Sequence, residues 1–201
     1  MPIVELRGNI ELRKALRAFA PDLEKQLRTE LHKALRPVVR QAKGFVPAVS
    51  PMRGWAGRSY SEGKFPIYNA LTITAGITYS VSPSKPNKNG FTSMARIINK
   101  SAVGAIFETS GRKNPNGQPW VGRKAGGFSK GVSRSNNPNA GKQFIENMPP
   151  LVSSLKGRGR LIYRAWAANR GVAEGAAMRA IDSATQQFYA RAKTTTFSRA
   201  A

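Results

Sequence analysis

The stretch Pro21–Pro47, PDLEKQLRTELHKALRPVVRQAKGFVP, decides the fold. Leu23, Leu27, Leu31, Leu35, Val38, Ala42 and Phe45 recur in it at steps of three or four, the spacing of a single apolar stripe on an α-helix. Pro21 suits a first helical turn, where its missing N–H costs nothing, and Asp22 and Glu24 stand where the helix dipole favours negative charge. Pro37 removes one backbone hydrogen bond and predicts a kink near Arg36. At about 1.5 Å per residue, Asp22 to Phe45 spans roughly 35 Å.

Before this helix, Asn9 is placed to cap a shorter one with apolar positions Ile10, Leu12, Leu16 and Phe19. After it, residues 47–69 carry Pro47, Pro51 and Pro66 and read as a loop. Residues 70–81 (ALTITAGITYSV) are rich in β-branched side chains and read as a strand. Turn chemistry ending in Asn89-Gly90 leads to a returning strand at 91–99 (FTSMARIIN), a β-hairpin with a long loop. Ser101 is placed to cap a short helix ending near Gly111. Phe144 to Leu155 reads as a short helix broken by Pro149-Pro150, and RLIYRAW (160–166) as a strand or a helix start. Residues 172–193 form a last helix with Val172, Ala176, Ala177, Ala180, Ile181, Ala184, Phe188 and Ala192 on its apolar face.

The pattern predicts an α+β fold. A long, kinked N-terminal helix and a C-terminal helix pack on a small antiparallel β-sheet, and a long basic loop interrupts them. Residues 1–111 form the helix and hairpin part of a single domain. Residues 112–142 form a mobile loop rich in Gly, Asn and Pro, and 143–201 complete the domain with the terminal helix. The loop has no acidic residue and too little apolar content to offset the entropy of ordering it alone.

Charge is the unusual feature: 33 Lys and Arg against 10 Asp and Glu, a formal +23. Self-repulsion of that size calls for an acidic counter-surface: nucleic acid, an anionic membrane surface or an acidic protein. No run approaches the roughly 18 apolar residues of a membrane span. The charged N-terminus lacks the core of a signal peptide. The expectation is a soluble chain, cytoplasmic when made, with no membrane partner.

The absence of cysteine excludes disulfides, thiolate metal sites and cysteine catalysis. A Ser-His-Asp triad would need His32, the sole histidine, which lies among helical charges and reads as a solvated, helix-flanking residue. The carboxylates form neither HExxH nor an EF-hand loop. Glu108, in a basic and aromatic setting, reads as a salt-bridge partner for a nearby arginine. The expectation is no enzyme, with no catalytic residue, metal or cofactor. Gly157-Arg158-Gly159-Arg160 is similar to short nucleic-acid-contacting RG stretches, and Asn99-Lys100-Ser101 has the form of a glycosylation sequon. The candidate DNA- or partner-facing residues are Arg112, Lys113, Trp120, Arg123, Lys124, Lys130 and Arg134. This set either tracks a nucleic-acid backbone with occasional stacking or keeps a solvated loop soluble with Trp120 as anchor.

The opening VELRGNIELRKALRAF leads into a helix closing on ALRPVVRQAKGFVP (34–47). A hairpin follows, then a short helix with an aromatic-Glu phrase, AIFETSG (105–111). An Arg-aromatic-Leu phrase, RLIYRA (160–165), precedes the C-terminal helix. This order of features resembles the HK97 gp10-like family of tailed-bacteriophage neck or tail-completion proteins. The TGxL phrase common in that family is replaced here by SPMRGWAGRS, and the insertion at 112–142 is longer. The resemblance implies a homo-oligomeric ring at the head–tail junction of the virion, assembled in the host cytoplasm. Such a ring connects head-closure proteins to tail-terminator or tail-tube proteins around the DNA channel, with sequence-independent contact to genomic dsDNA. A tail terminator or other minor tail protein is a neighbouring reading, and a free basic nucleic-acid-binding protein is the alternative of another class.

Overall fold

The computed structural model describes residues 3–7, 10–52, 54–56, 65–122, 131–133, 135–154 and 157–199. Strand β1 (Ile3–Arg7) precedes α1 (Ile10–Phe19) and α2 (Pro21–Gly44). Next come α3 (Ala70–Gly76), the hairpin strands β2 (Ile77–Ser80) and β3 (Ser93–Asn99), and α4 (Ala102–Thr109). The remainder is α5 (Ala140–Glu146), the short pair β4 (Val152–Ser154) and β5 (Gly157–Gly159), and α6 (Ile162–Arg199). The class is α+β, as the periodicity predicts.

The leucine stripe is the core. Leu23, Leu27, Leu31, Leu35, Val38 and Ala42 are all buried, each leucine contributing about 1.5–3 kcal/mol over leaving it in water. Helix α2 runs unbroken through Pro37. It starts where expected because Pro21 keeps Ala20 out of the helical region (φ −149°, ψ 67°), which separates it from α1. Its stripe packs on α6, where Ala165, Trp166, Ala173, Ala177, Ala180 and Ala184 are buried. Leucines facing alanines let the two helices approach closely. Asp22 meets Arg191 and Gln41 meets Asn169, so the pair is antiparallel. Both helices rest on a three-stranded antiparallel sheet of order β1-β3-β2, in which Ile3 faces Ile98 and Ile77 faces Asn99. Ala95 and Ile97 of the central strand are fully buried.

Four local expectations change. Residues 70–76 are helical: the Asn69 side chain caps them, accepting from Thr72 N at 2.8 Å, and only 77–80 join the sheet. The short helix expected at 144–155 lies earlier, at 140–146, and begins inside the range assigned to the loop; 152–154 is a strand. The last helix starts at Ile162, ten residues before the expected start; Ala177, Ala180 and Ala184 of its expected inner face are buried, but Val172 is 75 % exposed and Ala173 is buried instead. Phe19, assigned to the apolar face of α1, is 80 % exposed. The hairpin turn and the Ser101 cap stand as expected, with Ser101 Oγ accepting from Gly104 N at 2.7 Å. Asn9 and residues 57–64 lie outside the described residues.

Candidate functional site

Among the described residues, a dense network of buried polar contacts sits where α4 meets the start of α6. Glu108 is fully buried, and its carboxyl oxygens accept from the backbone N–H groups of Leu161 (2.6 Å), Ile162 (3.1 Å) and Tyr163 (3.0 Å). These are among the donors that a helix leaves unsatisfied at its start. The neighbouring Arg160, also buried, reaches the opposite way. It donates to the carbonyls of Phe107 (3.0 Å), Ser110 (2.8 Å) and Pro149. Burial pushes the Glu108 carboxyl above the usual carboxylate range, while the three N–H donors and Arg112 pull it back. Burial lowers the Arg160 guanidinium and Glu108 holds it up. The expected Glu108 salt bridge is therefore replaced by a helix cap, with the arginines acting on it through space.

Gly159 and Arg160 of the Gly-Arg-Gly-Arg stretch are buried in the same junction, and only Arg158 is exposed. A Cβ on Gly159 would lie 2.2 Å from Glu108 Oε1 and 2.8 Å from the Tyr163 ring, so only glycine lets β5 pass this close. The sequon residue Asn99 is likewise buried, its side chain accepting from Ser101 N at 3.0 Å.

The basic loop is held at its root. The Trp120 indole N–H donates to the Ser135 carbonyl at 2.9 Å. Val121 N donates to the Ser133 carbonyl (3.0 Å) and Ser133 N to the Pro119 carbonyl (2.7 Å). About half of Trp120 remains exposed. Gly117, at φ +79°, closes against α5, where a Cβ would meet the Gly141 backbone at 2.2 Å. Arg112 is drawn inward: its guanidinium stacks 4.8 Å from the Tyr163 ring centre and donates to the Arg158 carbonyl. Lys113 is exposed and lines a cleft of about 980 Å³ between α4, α5 and the loop root. Arg123, Lys124, Lys130 and Arg134 lie outside the described residues.

One wall of that cleft is aromatic, with Trp55, Phe65 and Phe144 packed at ring-centre distances of 5.2–5.9 Å. The other carries Asn114, Ser133, Ser135 and Asn137. Among its described lining residues there is no carboxylate and no histidine. What the cleft offers is apolar contact, neutral hydrogen bonding and the cations of Arg112 and Lys113. No cluster of metal-binding side chains occurs among the described residues, and no described helix is long and apolar enough to cross a membrane. His32 is half-buried and packs edge-on against Tyr79, ring centres 5.2 Å apart.

A second buried polar contact was hidden in the sequence. Arg13 pairs with Glu24 at 2.6 Å and donates to the Val81 carbonyl at 2.5 Å, tying α1 and α2 to the hairpin. In the sequence, Arg13 looks like one more surface charge; only its i–3 relation to Leu16 places it on the inner side of α1. Comparison with protein-family models, with curated proteins and with solved structures finds no match.

Proposed function

We propose that the chain is a structural subunit of a tailed bacteriophage. In this reading it forms a homo-oligomeric ring at the head–tail junction, a neck or tail-completion component joining head-closure to tail-terminator or tail-tube proteins around the DNA channel. One observation carries the reading. Two of the phrases that carry the resemblance, AIFETSG and RLIYRA, meet in the fold, Glu108 holding the backbone of the second while Arg160 holds the backbone of the first. That reciprocity supplies a physical reason for both phrases to occur in one chain, in this order. The formal +23 charge and a cleft lined by aromatic, amide, hydroxyl and basic side chains fit a subunit that recognises partners.

Deleting the gene from its genome tests the proposal. DNA-filled heads and unattached tails should accumulate while the other virion proteins are made normally. Infectious particles from a clean deletion would refute it. The charge also favours a free nucleic-acid-binding protein. That alternative predicts duplex binding by the isolated chain without affinity for head-closure or tail proteins.

A further inference from the structure

The strongest unpaired charge among the described residues lies on the outer face of α2. Lys25, Arg28, Lys33, Arg36 and Arg40 are exposed there, and Lys43 is half-buried at its end. At about 100° per residue, Lys25, Arg36 and Lys43 fall within roughly 20° of one another, with Arg28 and Arg40 about 60° to either side. The apolar face of the same helix is already spent on α6 and the sheet. From Lys25 to Lys43 the row is about 27 Å long at 1.5 Å per residue. Lys33 pairs with Glu30 at 2.7 Å, whereas the other five side chains have no ion pair among the described residues.

We infer that this face of α2 is a contact surface for the sugar-phosphate backbone of duplex nucleic acid. Three features select that partner. Protein interfaces are built on a desolvated apolar or aromatic centre and are poor in lysine. Here no large exposed hydrophobic lies anywhere on α2. Single strands are held by aromatic side chains on which bases stack. This face has none, and the His32 ring is occupied by Tyr79. A helix lying in a membrane surface buries its apolar side in lipid, but that side of α2 is core. What remains is a row of cations with long, flexible stems, suited to phosphates and indifferent to base sequence. A ring subunit and a free chain would use the face alike.

The test is fluorescence anisotropy of a short random-sequence duplex with the full chain across a salt series. Each cation–phosphate contact adds about −0.9 to the slope of log affinity against log salt, so five contribute about −4.5. The variant with Lys25, Arg28, Arg36, Arg40 and Lys43 all changed to Gln should bind at least about 100-fold more weakly near 0.1 M salt, its slope flattened by about four. A charge-matched control, Lys14, Lys85, Lys88, Lys100 and Arg179 to Gln, removes five exposed cations from elsewhere on the surface. It should keep most of the affinity. Circular dichroism checks that both variants are folded. Equal losses in the two variants would overturn the inference, since total charge would then be the cause. So would unchanged duplex binding by the α2 variant, including the case where it loses binding to polyglutamate, which would assign the face to an acidic protein.

Discussion

The two ends of α6 are fastened by the same kind of group in opposite surroundings. At Leu161 the fastening is Glu108, with no solvent exposure; about 45 Å along the axis, it is the exposed pair of Arg191 and Asp22 at 2.7 Å. At the buried end every oxygen has a backbone donor, and losing them strands those donors away from water. At the exposed end water replaces whatever is lost. Distance alone does not rank the two contacts: 2.6 Å at one end and 2.7 Å at the other conceal very different costs of removal. The buried end fixes where α6 starts and how it meets α4, and the exposed end holds a position that the leucine–alanine packing already favours.

Glu108→Ala is the largest expected effect. It orphans three buried N–H groups, each worth about 1–3 kcal/mol when left unsatisfied. With partial relaxation and water entry, the expected loss is on the order of 4 kcal/mol, at the upper end for a single substitution. Glu108→Gln keeps one acceptor oxygen and should lose less. Urea unfolding midpoints measure both. If Glu108→Ala shifted the midpoint no further than a substitution at Asp22, the contrast between the ends would collapse.

Gly159→Ala attacks the same junction by crowding it. The added methyl would need the space now held by Glu108 Oε1, 2.2 Å away, and by the Tyr163 ring. Overpacking of this kind costs about 1–3 kcal/mol. Combined with Glu108→Ala, the two losses should be less than additive, because the alanine at 108 vacates the position that the new methyl needs. Strict additivity would mean that β5 and the cap are independent.

How much of this was legible follows from what each feature depends on. The α2 stripe was readable because one periodicity over six buried positions has a single explanation. Residues 70–76 were misread because β-branched composition suggested a strand, whereas the Asn69 cap and the burial of Ile73 set a helix. Around the start of α6, RLIYRAW fits a strand or a helix start equally well. Its determinant, Glu108, lies 53 residues away from Leu161 and so is invisible to any local window. The aromatic-Glu and Arg-aromatic-Leu phrases stand out in the sequence by resemblance alone; the reciprocal hydrogen bonds that join them appear only in the fold. Arg112 illustrates the reverse error. Counted as a surface cation in a basic loop, it stacks on Tyr163 and serves the junction.

The smallest expected effect, Asp22→Asn, is also the one whose pH dependence most sharpens the contrast. The hydrogen bond from Arg191 holds the Asp22 carboxyl below its ordinary 3.8. A lowered folded value means that the contact contributes above pH 3.8 and is lost as pH falls through the folded value. Glu108 has the opposite sign. Burial raises its carboxyl above 4.5, so its contribution is greatest below that pH and declines as pH rises through the raised value. Urea midpoints of Asp22→Asn and the parent chain should differ slightly at neutral pH and low salt. They should coincide in about 1 M salt, where the screening length is about 3 Å, and again in acid once Asp22 is protonated. The deficit of Glu108→Gln should instead be widest in acid and narrow as pH rises, with little response to salt. A pH response in the same direction at both positions would mean that the two ends of α6 do not differ in the way their burial implies.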